Sequence, residues 1–139
     1  MKTMKYPIYA PIQWWSKDVD ENCNGCGSEL DISGKIVPDH LLGLSIKEFA
    51  CCPHDDMYER GITKVDKLFA DVMFLYNMVA IILNEGGYLV VPRLLLAFHY
   101  FIAVVKKGDA SFIYDKNEID VRNYISFKGQ FIYEYETYN

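Results

Sequence analysis

SIKEFACCPHDDMYERGITKVDKLFADVMFLYNMVAIILNEGG, residues 45–87, decides how this chain is read. Ser45 and Glu48 stand at capping-box spacing, which predicts a helix start: the serine caps a free amide of the first turn and the glutamate reaches back. The helix runs through Phe49, Asp55 and Tyr58 to about Arg60, and Gly61 stops it. Pro53 lies inside and has no amide hydrogen, so a kink is expected near Phe49. Thr63 opens a second helix, with Asp66 three residues on. Val65, Leu68, Phe69, Val72, Met73, Tyr76, Val79 and Ala80 recur along it at helical spacing, and it ends near Asn84, before Glu85-Gly86-Gly87.

Downstream, Pro92 suits the first turn of a third, apolar helix that reaches Lys107, and Gly108 terminates it. Residues 115–125 fit a short helix, and Gln130 to Thr137 alternates loosely, as a strand does. Upstream, residues 23–44 are loop-rich, with a turn at Asp39-His40. Residues 1–22 read as an irregular segment in which Pro7 and Pro11 favour extended backbone. Trp14-Trp15 packs over the helices or anchors at a lipid boundary, which indole rings favour. No internal repeat or low-complexity segment is visible.

The 139 residues fit one domain, residues 1–139, that is mainly α. A net charge of -5 with no basic stripe argues against a nucleic-acid partner. The apolar runs Met73–Leu83 and Leu94–Val105 are short of a bilayer span. The first residues, broken by Pro7 and Pro11, do not read as a secretory signal. Cys23, Cys26, Cys51 and Cys52 fit disulfides, a metal site or reduced core thiols, and the missing signal favours thiols.

The chemistry sits in CCPHDDMYERG, residues 51–61. His54 and Asp55 are neighbours on a helix, so they point about 100° apart. One helix can therefore aim an imidazole at a water and a carboxylate at a cation. Tyr58 lies one turn beyond His54 on the same face. CNGCGSE, residues 23–29, is a glycine-rich turn whose carbonyls can converge, and calcium takes oxygens of both kinds. If the two helices pack antiparallel, Asp66 reaches the far nitrogen of His54, fixes its tautomer and stabilises the imidazolium. Standing third after Thr63, Asp66 also fits a plain helix cap.

On the loop around Gly25-Cys26-Gly27, the Cys51-x-x-His54-Asp55-x-x-Tyr58 helix and the VDKLFADVM segment, the chain resembles the phospholipase A2 superfamily, looking closer to its small bacterial and phage-like members than to venom or pancreatic enzymes. The resemblance covers residues 23–75. It implies a mainly α fold in which a calcium-binding loop precedes two long antiparallel helices carrying the site. It implies calcium-dependent hydrolysis of the sn-2 acyl ester of glycerophospholipids at a membrane interface. His54 matches the general base, Asp66 the aspartate bonded to it, and Tyr58 the tyrosine that supports this aspartate. Asp55 matches the calcium carboxylate, with backbone oxygens near Gly25, Cys26 and Ser28 as loop ligands and the Gly27 amide at the oxyanion. Cys26 and Cys51 match a pair that ties loop to helix, which leaves Cys23 and Cys52 unpaired.

Two other readings use the same residues. Cys23-x-x-Cys26 with Cys51, Cys52 and His54 offers zinc a thiolate and imidazole set. A catalytically silent helical binding module would keep the fold without the reaction. Outside the constellation, His99 is expected to be a satisfied core histidine, Asp56 and Asp71 to be solvated, and Glu85 to be exposed.

Overall fold

A computed structural model describes residues 2–11, 40–60, 64–107 and 129–135. In chain order the elements are β1 (Lys2–Pro11), β2 (His40–Leu41), β3 (Leu44–Ser45) and a π-helical segment (Lys47–Cys51). Then come α1 (Cys52–Arg60), α2 (Lys64–Glu85), α3 (Val90–Lys107) and β4 (Gly129–Tyr135). The described residues are mainly helical, with two small antiparallel two-stranded sheets. Among the described residues no helix is long and apolar enough to cross a membrane.

Pro53 acts as expected, and the kink takes a specific form. In a continuous α-helix the Pro53 ring would press on the Phe49 carbonyl and leave it without its usual donor. The chain widens instead: the amides of both Ala50 and Cys51 donate to the Ile46 carbonyl at 3.0 Å, and the Cys52 amide donates to Lys47. The α-helix proper starts at Cys52, which puts Pro53 in a first turn, where no amide is needed. The capping box does not form. Ser45 belongs to β3, the N-cap is Ile46, and no side-chain cap hydrogen bond is made there.

Residues 2–11 are not irregular. They form β1, which pairs antiparallel with β4. The strand expected over 130–137 is therefore real and supplies its partner. Between Thr3 and Ile8 the register slips, so Tyr6 and Tyr9 both turn backbone groups away from β4. Two asparagines of α2 take up those groups. Asn77 accepts from the Tyr9 amide at 2.7 Å and donates to the Tyr9 carbonyl at 2.8 Å. Asn84 does the same for Tyr6, both at 2.8 Å. Two helical turns rise about 10 Å, and three extended residues span about the same distance. The helix thus stands in for a missing strand, and Tyr76 adds a bond from its hydroxyl to the Pro7 carbonyl at 2.9 Å.

The apolar stripe read along the second helix is only in part a buried face: Ala80 is buried, and Phe69, Met73 and Tyr76 are half-buried against Tyr9, Met57, Tyr58 and Ala70. Val65, Leu68 and Val72 are exposed. The buried residues of α2 include Lys67, Asp71, Phe74, Asn77, Met78 and Ile81; of the ten that are buried, four are polar. Residue spacing on this face is helical all the same; the polar members each find a partner inside. Asp56, expected to be solvated, is buried, and His99, expected in the core, is exposed. Glu85 is exposed as expected.

Gly86 and Gly87, both at positive φ, end α2. Leu42 and Gly43 also have positive φ, as a two-residue type I′ hairpin turn requires. The turn thus lies at Leu42-Gly43, and His40 is in β2; Asp39 lies outside the described residues. The Arg93 side chain holds this hairpin, donating to the Leu41 and Leu42 carbonyls at 3.0 and 2.9 Å. Residues 12–39, with Trp14-Trp15 and the glycine-rich loop, and residues 115–125 lie outside the described residues.

Candidate functional site

The site lies where α1 crosses α2. His54 and Tyr58, one turn apart on α1, both reach Asp71 of α2. The Nε2 of His54 is 2.8 Å from Asp71 Oδ1, and the Tyr58 hydroxyl donates to the same oxygen at 2.5 Å. The other oxygen, Oδ2, accepts from Lys67 Nζ at 2.8 Å. The rings of Tyr58 and Phe74 flank the imidazole, their centroids 4.1 and 4.8 Å from its own. As the α1 position advances from His54 to Tyr58, the α2 contacts step back from Phe74 through Asp71 to Lys67, so the helices run antiparallel. Of the two helices only α2 is long; α1 has nine residues.

The carboxylate that meets His54 is therefore Asp71, not Asp66. The two aspartates are five residues apart, which turns them about 140° from each other around the helix. Asp66 is buried too, but on the wrong side for this role. Tyr58 does support the histidine's aspartate, and that aspartate is Asp71. The residues missed from the sequence are Asp71 and Lys67. Both lie inside the VDKLFADVM segment, and their spacing of four was the available signal.

The site is packed, not an open cleft. His54 is 7% exposed, Tyr58 and Lys67 are 6%, and Asp71 is 1%. Burial pushes the Asp71 carboxyl up. The His54 hydrogen bond and charge, then the Lys67 and Tyr58 hydrogen bonds, outweigh it and hold the carboxyl below its ordinary 3.8. Ionised Asp71 can only accept, so His54 must carry its proton on Nε2. In the neutral ring Nδ1 is then the basic nitrogen.

No protein-family model, curated protein or solved structure matches the chain.

Asp55 is half-buried on α1, next to His54. Its proposed fellow ligands at Gly25, Cys26 and Ser28, and the Gly27 amide, lie outside the described residues. Among the described residues no group of three or more His, Cys, Asp or Glu is arranged to hold a metal ion. Cys51 and Cys52 are both disulfide-bonded. That corrects two expectations: these thiols are not reduced, and Cys52 is not unpaired. It also removes two thiolates from the zinc set, since a sulfur in a disulfide is no longer a thiolate ligand. The pairing of Cys51 with Cys26, and the state of Cys23, fall outside the described residues.

A cavity of about 350 Å³ opens between β1, β3, the π segment and the far end of α2. Met4, Leu44, Phe49, Ile81 and Asn84 line it. No member of the His54–Asp71 cluster does, so it is not the space in front of the dyad.

Proposed function

We propose that the protein hydrolyses the sn-2 acyl ester of glycerophospholipids, with His54 as general base and calcium as cofactor. The observation that supports this is the buried His54–Asp71 pair, with Tyr58 on the same carboxylate and Asp55 beside the histidine. The arrangement repeats the pattern behind the phospholipase A2 resemblance once Asp71 takes the place first given to Asp66.

Neutral His54 takes a proton from water at Nδ1 as the water oxygen attacks the ester carbonyl. Asp71, accepting from Nε2–H, stabilises the imidazolium that forms. His54 then returns the proton to the departing glycerol oxygen, and a fatty acid and a lysophospholipid leave. Calcium, when bound, would polarise the ester carbonyl as a Lewis acid. Calcium takes about six to eight oxygens, and of the proposed set the described residues contain Asp55 alone. The fit therefore rests on that carboxylate and on loop carbonyls that only the resemblance supplies.

One observation favours a second reading. A dyad only 7% exposed at the histidine is what a silent binding module that keeps the fold would retain. Phospholipid vesicles separate the two. Fatty acid release with millimolar calcium, abolished by chelator, is expected of the enzyme. No release under either condition would sink the hydrolytic reading in favour of the silent module.

A further inference from the structure

Lys67 is an odd residue at its position. It is the fourth residue of α2, in the first turn, where the helix dipole disfavours a cation. It precedes Asp71 by four, the less favourable order for such a pair. It is buried, and a buried ammonium without partners is costly. Helix energetics alone therefore do not account for a lysine here.

Its partners do. Beyond Asp71 Oδ2, the ammonium reaches the Val104 and Val105 carbonyls at 3.4 and 3.3 Å. These are among the last four carbonyls of α3, which no amide within that helix can satisfy. The negative end of α3 and the Asp71 carboxylate thus share one cation, which also lies 5.8 Å from the centre of the Tyr58 ring. The two oxygens of Asp71 are divided: Oδ1 takes His54 and Tyr58, Oδ2 takes Lys67. A carboxylate held at both oxygens cannot rotate about its terminal bond. Held at Oδ1 alone it can, and the imidazole turns with it.

We propose that Lys67 is a positioning residue for the His54–Asp71 dyad, pinning Asp71 Oδ2 so that Oδ1 faces His54 Nε2 and making that geometry depend on the docked C-terminal turn of α3. The proposal rests on the hydrolytic reading for its rate effect, and it names a residue that the resemblance does not.

The experiment is a cycle on vesicle hydrolysis with calcium, using wild type, Lys67→Met, Lys67→Arg, Asp71→Asn and the Lys67→Met/Asp71→Asn double variant. Misplacing a catalytic group by about 1 Å can cost on the order of a hundredfold. Lys67→Met is expected to lower kcat about tenfold or more while KM stays within about twofold, and Lys67→Arg to recover most of the loss. With Asp71→Asn already present, Lys67→Met should add no further loss, because Lys67 acts through Asp71. An equal loss in both backgrounds overturns the proposal. If Lys67→Met fails to fold, Lys67→Gln, which keeps a donor without the charge, takes its place. A second readout needs no activity: imidazole ¹⁵N shifts report which nitrogen of His54 carries the proton. Nε2–H should be the main form throughout, but its proton, held by Asp71 and shifted downfield in wild type and Lys67→Arg, should move upfield and exchange faster in Lys67→Met. An inactive wild type with that signature removes the hydrolytic reading but keeps the positioning role, and an unchanged signature in Lys67→Met removes the positioning role.

Discussion

The Nε2 of His54 and Oδ1 of Asp71 meet at 2.8 Å across 17 residues of sequence. The two residues stand equally far from the midpoint between positions 62 and 63, and so do Tyr58 and Lys67. That symmetry is what an antiparallel helix pair imposes, since facing residues lie equally far from the connection. Asp66 is too close to the connection to face His54. It would lie opposite the end of α1.

Asp71 and Asp66 should therefore separate cleanly by mutation. Asp71→Asn keeps the shape but removes the charge that accepts from three donors. Losing one partner of a buried charged pair costs about 3–5 kcal/mol, so a urea midpoint should fall clearly, and phospholipid hydrolysis should drop by about a hundredfold or more. Asp66→Asn should keep hydrolysis near the wild-type level. If Asp66→Asn abolishes hydrolysis and Asp71→Asn spares it, the assignment made from the geometry is wrong.

For His54→Gln, a side chain of similar reach that cannot serve as a base, hydrolysis should fall by at least about a hundredfold. Stability should fall as well, by roughly 1–3 kcal/mol, because His54 is 7% exposed and packed between two rings. Thermal melts and vesicle assays on one preparation check both. A variant with the wild-type rate would end the hydrolytic mechanism.

Much of this was legible in the sequence. Pro53 and Gly86-Gly87 place two of the breaks, and the described helices fall within a few residues of where the sequence puts them; Gly61, expected to stop the first, lies outside the described residues. His54 and Tyr58 were readable as one face because four residues make about one turn. What failed was the choice of the main buried face on α2, since Val65, Leu68 and Val72 are exposed while Phe69, Met73, Tyr76 and Ala80 do pack. Hydrophobic periodicity assumes that polar residues face water, and here Lys67, Asp71 and Asn77 face inward because each has a partner on another element. β1 was missed for a related reason. Its outer edge is satisfied by asparagine side chains of α2, a device with no strand-like signature in either segment.

That device gives a contrast between two asparagines. Asn77 is fully buried and serves both backbone groups of Tyr9, so Asn77→Leu strands a donor and an acceptor. Each unmet buried group costs about 1–3 kcal/mol. Asn84 makes the same pair of bonds to Tyr6 in an exposed setting, where water can replace them. Asn84→Leu should therefore cost well under half as much. Urea unfolding of the two variants decides it, and equal losses would mean that the strand edge is not what Asn77 secures.

Cys51 precedes the site helix and Cys52 begins it, and each is disulfide-bonded, so alkylation without reductant should leave both unmodified. Reduction should lower the melting temperature, since losing a native disulfide costs about 2–5 kcal/mol. Mass spectrometry of alkylated peptides is the check, and a labelled Cys52 in the native, unreduced protein would contradict the structure.

The last prediction concerns acid. The Asp71 carboxyl is held below its ordinary 3.8 in the folded protein, against burial, by His54, Lys67 and Tyr58. In the unfolded chain those partners are gone and the ordinary value returns. Above 3.8 the carboxyl is ionised in both states, and its full contribution to stability is present. As pH falls below 3.8 the unfolded chain binds the proton first while the native state resists it. Stability then declines until the folded value is passed. Urea midpoints taken from pH 6 down to about pH 2.5 should therefore fall steeply at the acid end in wild type. Other carboxylates titrate there too, so the test is the difference from Asp71→Asn, which has no proton to bind at this position. That variant should be the less stable protein at pH 6, and the gap between the two should narrow as the pH drops below 3.8. A gap that stays constant to pH 2.5 would mean that Asp71 is not held ionised by its neighbours, and the tautomer assigned to His54 would lose its basis.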